Sequence, residues 1–106
     1  MKLAATIAEY FAAVNSDDVD RVAACFADDA VVQDEGREIC GTSAVRTWAE
    51  ETRRKYRYRA EVVRIEETED RTIVTAHLTG DFPGSPIDLR YRFKIAGSKI
   101  IALEIG

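Results

Sequence analysis

The spacing of apolar residues changes midway along the chain, and that change leaves few folds open. From Leu3 to Val14 apolar side chains recur at Leu3, Ile7, Phe11 and Val14, with Ala4, Ala8 and Ala12 widening the stripe. This is the period of an amphipathic helix. From Tyr56 onward the period drops to two. Tyr56, Tyr58, Ala60 and Val62 alternate with Arg57, Arg59 and Glu61, and later Leu89, Tyr91, Phe93 and Ile95 alternate with Asp88, Arg90, Arg92 and Lys94. A helical first half followed by half-buried strands predicts an α+β domain, with helices packed on one face of a mainly antiparallel sheet.

Finer signals divide the two halves. Asn15, Ser16, Asp17 and Asp18 supply turn and N-cap chemistry before a second helix, with Val19, Val22, Ala23 and Phe26 facing inward and Asp28-Asp29 closing it. Ala30 to Asp34 reads as a short strand. Gly36 and Gly41 bracket a loop, and Thr42 or Ser43 can cap a third helix running to about Lys55, with Val45, Trp48 and Ala49 inward. Past Val62 the apolar series continues one residue out of step at Val63 and Ile65, which predicts a bulge near Val62-Val63. Strands follow at 72–82, 87–95 and 100–105, separated by the Pro83-Gly84-Ser85-Pro86 and Ala96-Gly97-Ser98 turns.

A chain of 106 residues with 46% hydrophobic content is long enough to bury one core, so residues 1–106 are expected to form a single domain. Its 15 basic and 19 acidic residues leave a formal charge of -4, and the basic residues are scattered, which argues against a nucleic-acid partner. The stretch Arg53-Arg54-Lys55, continued by Arg57 and Arg59, reads as a solvated helix end and outer strand face, with a polyanion patch as the alternative. No apolar run approaches the roughly 20 residues of a membrane span. Cys25 and Cys40 carry no disulfide framework and no charged-then-apolar leader opens the chain, so a reduced, cytoplasmic protein is expected. One histidine and scattered acids offer no metal-ligand spacing, and no cofactor is expected.

Three stretches carry a family resemblance: Glu9 to Asp20, Phe26 to Asp34, and Gly41 to Arg46. They resemble the opening half of the SnoaL-like and ketosteroid-isomerase-like proteins of the NTF2-like superfamily, and the turn at Gly80 to Gly84 and the closing strands fit the same group. The resemblance implies a cone in which three N-terminal helices cover a strongly curved sheet and leave a pocket for a small hydrophobic molecule. It is specific for fold and not for reaction, since one fold hosts many chemistries. In the isomerase branch that the chain resembles, a helix-one tyrosine donates to an oxyanion and a first-strand aspartate moves a proton. Tyr10 and Asp34, 24 residues apart, match those positions. That branch's third group is a neutral carboxylic acid. The letters Pro86-Ile87-Asp88 suggest it, but aligning the strand on Phe93 puts Leu89 at that position and turns Asp88 outward with Arg90 and Arg92, because one residue of register reverses the face.

The candidate site is therefore Asp34 as general base, Tyr10 as oxyanion donor and His77 as a second proton-transfer group, with Trp48, Tyr58, Leu89, Tyr91 and Phe93 as walls. Each has a plain structural alternative: a solvated acid at a strand end, an amphipathic tyrosine, an outward histidine, ordinary core aromatics. If His77 faces the pocket, Val74, Ala76 and Leu78 face outward and need cover, which implies a homodimer through the sheet. Two functions compete. One is a cofactor-free isomerase, cyclase or dehydratase acting beside a carbonyl. The other is a non-catalytic ligand-binding or dimerisation module, which an arginine salt bridge to Asp34 or a filled pocket would favour. A partner-binding adaptor would need an exposed apolar patch.

Overall fold

The computed structural model describes residues 3–106. Nine elements follow one another: α1 (Ala5–Asn15), α2 (Val19–Ala24), β1 (Phe26–Asp34), β2 (Arg37–Cys40), α3 (Thr42–Tyr56), β3 (Arg59–Glu67), β4 (Thr72–Thr79), β5 (Ile87–Ala96) and β6 (Lys99–Ile105). The six strands form one curved sheet in the order β2-β1-β6-β5-β4-β3. Every neighbouring pair is antiparallel except β1 with β6. The α+β cone is thus the observed architecture, and no described helix is long and apolar enough to cross a membrane.

Local chemistry accounts for most boundaries. The Asp18 side chain accepts from the Arg21 amide at 3.1 Å and so caps α2. The bulge occurs as expected: Val62 pairs with Ala76 and Arg64 with Thr75, which leaves Val63 as the extra residue. Between helices and sheet lies the core, where the Tyr10 and Phe11 rings meet Tyr91 and Phe93 edge-on or tilted at centroid distances of 5.2 to 6.2 Å.

Four expectations change. The second helix ends at Ala24 rather than at Asp28-Asp29, because Phe26 already pairs with Ile100 and the Cys25 carbonyl accepts from the Ile100 amide at 2.8 Å. The expected loop between Gly36 and Gly41 is strand β2, joined to β1 by the two-residue turn Glu35-Gly36 in which both φ values are positive, 53° and 73°. The third helix is capped by Gly41 at φ 87°, with no side-chain cap from Thr42 or Ser43. The faces of β4 are the reverse of those that would bring His77 inward. Val74, Ala76 and Leu78 are buried against the helices while His77 lies on the outer face, so the apolar outer surface from which a homodimer was inferred is absent from this strand.

Candidate active site

The end of β1 and the turn after it place Asp34 at the lip of a cavity of about 450 Å³. That is the size of a small-molecule site. Trp48 and Thr52 from α3, Tyr58 from the α3–β3 junction, Leu89 and Tyr91 from β5, and Phe82 from the β4–β5 loop line it with Asp34. A second recess of about 370 Å³ shares Asp34, Glu35, Trp48, Thr52 and Tyr56 and adds Arg37, Glu51, Arg54 and Lys55, giving the mouth a polar porch.

Asp34 has one strong partner. The Trp48 indole Nε1 donates to its Oδ2 at 3.0 Å. The cations close to it are engaged elsewhere: Arg37, its cross-strand neighbour in β2, pairs with Glu51 at 3.7 Å, and Lys55 pairs with Glu35 at 3.6 Å. Among the described residues Asp34 forms no ion pair. Burial therefore pushes its carboxyl above the usual aspartate value, opposed by the Trp48 hydrogen bond. Neighbouring Glu35 points to the rim, where it accepts from the Tyr56 hydroxyl at 2.6 Å.

Facing Asp34 is a cluster of three phenols. The phenols of Tyr10, Tyr58 and Tyr91 all feel the Asp34 charge. Burial, and then the Asp34 charge, holds the Tyr58 phenol up at about 12, so it remains protonated at neutral pH. Protonated, Tyr58 has an O–H to offer.

Several sequence candidates thus converge and others do not. Asp34, Trp48, Tyr58, Leu89 and Tyr91 border the cavity. Tyr10 is fully buried and lines a separate void of about 20 Å³ with Trp48 and Tyr58, rather than the Asp34 cavity. Phe93 is a correction: it is wholly buried beneath the cavity, packed on Tyr10 and Phe11. His77 is another. Its Nδ1 lies 2.7 Å from Asp88 Oδ1 on the outer face, because β4 must turn Val74, Ala76 and Leu78 inward. Asp88 accordingly points outward and Leu89 takes the inner position.

Two further aromatics line the wall. Tyr56, which the sequence offers as wall area on a strand, ends α3 instead, and Phe82, at the edge of a turn, has no role in the sequence. The signal for Phe82 was Gly80. Its α-carbon sits so close to the Tyr56–Tyr58 backbone that an added Cβ would lie 2.7 Å from the Tyr56 carbonyl oxygen and 2.9 Å from the Tyr58 Cα. The loop is thereby docked beside the cavity, with Phe82 edge-on to Tyr56 at 5.5 Å.

Residues 7–102 match the model of a family described as the SnoaL-like domain. A presumed polyketide cyclase from Sinorhizobium meliloti is 36% identical, with 98% of this chain and 95% of that chain covered and a TM-score of 0.94. Two more distant structures share the fold. One is a protein of ketosteroid-isomerase-like fold from Catenulispora acidiphila, in complex with trimethylamine (15% identity, 99% and 86% covered, TM-score 0.86). The other is a presumed ketosteroid isomerase from Kribbella flavida (15% identity, 96% and 74% covered, TM-score 0.81). No curated protein matches the sequence significantly.

Proposed function

Because the chain belongs to the family of SnoaL-like domains, we propose that its acid-bearing cavity is the active site of a cofactor-free enzyme that moves a proton beside the carbonyl group of a hydrophobic substrate. The observation that carries this reading is the state of Asp34. It is a carboxylate at an apolar wall, free of any ion pair among the described residues and held in one orientation by Trp48. A base of that kind has a pKa shifted toward the working range and a fixed direction of attack.

Asp34 removes a proton from the carbon next to the carbonyl, and the C–H electron pair moves into the carbonyl to leave an enolate. Tyr58 donates its O–H to the developing oxyanion. The neutral Asp34 then returns its proton. Return to another carbon is an isomerisation; attack of the enolate carbon on a second carbonyl of the same molecule, with the proton going to the new alkoxide, is a cyclisation. The Sinorhizobium meliloti relative, a presumed polyketide cyclase, favours the second course. The oxyanion site is smaller than in the isomerase branch, since Leu89 stands where that branch places a carboxylic acid.

A purely binding role would be favoured by a guanidinium on Asp34 or by a cavity filled with side chains, and neither occurs among the described residues. The test uses 2-naphthol, a flat phenol whose oxygen imitates an enolate. It should bind, and Tyr58→Phe should weaken it by about tenfold, the size of one good hydrogen bond. Asp34→Asn should strengthen it, because Asn imitates the neutral acid that faces the enolate. Binding unchanged in both variants removes the proposal.

A further inference from the structure

The arginine-rich stretch at the end of α3 does not face open solvent uniformly. Arg53, Arg54, Arg57 and Arg59 line one cleft of about 420 Å³ together with Asn15, Asp17 and Tyr58. In a chain whose net charge is -4, four guanidinium groups meet a single carboxylate there. Their pairing is unusual too. Arg21, Arg37, Arg46, Arg64, Arg90 and Arg92 each have a carboxylate partner, as does Arg54 with Glu50. Among the described residues Arg53, Arg57 and Arg59 have none, and Arg71 in the β3–β4 turn is the one other unpaired arginine.

The cleft is also built rather than loose. Asn15 clamps Ala60 through both ends of its amide, donating to the Ala60 carbonyl and accepting from its amide N–H, each at 2.8 Å. This fixes the end of α1 against the start of β3. Arg59 donates to the Asn15 carbonyl at 3.3 Å, which restrains that guanidinium at the edge. Arg57 occupies the left-handed region at φ 45°, ψ 56°, a helix-ending position where glycine fits at lower cost, and an arginine stands there instead. The negative end of α3 accounts for cations at 53 and 54. It does not account for Arg57 and Arg59 closing the far side.

We propose that this cleft binds the phosphate group of a small phosphorylated molecule, at a site separate from the Asp34 cavity that shares the Tyr58 wall with the cavity and Arg54 with its porch. Guanidinium forks suit the several oxygens of a phosphate, each fork donating two parallel hydrogen bonds. The net negative charge of the whole chain and the limited size of the cleft, about 420 Å³, suit a compact dianion better than a polyanion.

Pyrophosphate, titrated into the full chain in low salt and followed by NMR, should give saturable shifts at Arg53, Arg57, Tyr58 and Arg59. The variant R53Q/R57Q/R59Q should bind at least tenfold more weakly while keeping its thermal melt, since all three side chains are exposed. R53K/R57K/R59K keeps the charge but loses the forks and should fall between. Arg64→Gln, on an exposed strand site, should bind like the parent. The proposal is overturned by the absence of saturable shifts, by equal binding in the triple glutamine variant, by an equal loss in Arg64→Gln, or by a single-stranded oligonucleotide binding more tightly than pyrophosphate.

Discussion

Trp48 Nε1 lies 3.0 Å from Asp34 Oδ2, and this bond links the buried face of α3 to the last residue of β1. It orients the carboxylate and stabilises its charged form, while burial works in the other direction. The balance leaves an aspartate that is harder to ionise than an exposed one yet points one way.

Trp48→Phe keeps an aromatic wall and removes the donor. The Asp34 carboxyl should then move further up, because the largest influence left is desolvation. The limb of the pH–rate profile that reports Asp34 should shift to higher pH, and the plateau rate should fall by about tenfold as the carboxylate loses its fixed orientation. An unmoved limb would show that the indole bond does not tune the base.

Asp34→Asn should make the protein more stable at neutral pH. The folded-state pKa of Asp34 is raised, so its contribution is fully present below the ordinary aspartate value and is lost as pH rises through the raised value. The Asn side chain carries no such cost and can still accept from Trp48. Thermal melts should place the variant above the parent at pH 7 and close to it near pH 3. A variant less stable at pH 7 would mean that the carboxylate is well solvated in the fold.

Gly80→Ala should cost about 1–3 kcal/mol, the range for forcing atoms into filled space. The new methyl meets backbone at 2.7 to 2.9 Å on the Tyr56–Tyr58 segment, and that segment carries Tyr58. Urea denaturation measures the loss of stability, and naphthol binding should weaken with it. Gly80 is tolerant in its own dihedrals, so only this contact makes glycine necessary.

His77→Gln should leave turnover within about twofold of the parent and stability within about 0.5 kcal/mol. The ring and its partner Asp88 are 41% and 59% exposed on the outer face of the sheet, away from the cavity. A large loss of rate would return His77 to the mechanism.

Period and phase made the larger architecture legible. The 3.6-residue stripe of α1, the alternation in β5 and the phase slip at Val63 each had one structural reading. The flank of the stripe is corrected: Ala4, Ala8 and Ala12 are exposed and Tyr10 and Ala13 are buried in their stead, because α1 turns its aromatic side to Tyr91 and Phe93. Strand β2 was not legible, because its turn is Glu35-Gly36 rather than an asparagine–glycine pair and its four residues include one buried apolar side chain, Ile39. The early start of β1 was hidden for another reason. Its first residues are held by β6, more than 70 positions away, and no local signal reports a distant parallel partner. In the site, the motif points to Asp34 and the register to Leu89 on the inner face, while Tyr58 reads only as an aromatic wall and the donor role falls to Tyr10. The inward face of β4 could be read either way, since threonines and histidine sat opposite small apolar residues. Burial of Val74 and Leu78 decided it.

The central claim is that Asp34 removes a proton from carbon. It is tested most directly by following hydrogen–deuterium exchange at the carbon beside the carbonyl of 2-tetralone, a flat ketone, in heavy water with saturating protein. The parent should accelerate exchange over buffer, and Asp34→Asn should lose that acceleration by about 10² to 10⁴, the usual weight of a positioned general base. Tyr58→Phe should lose a smaller factor, since one hydrogen bond to the enolate disappears. Exchange by the parent that Asp34→Asn matches, or binding of the ketone with no acceleration at all, would contradict the account.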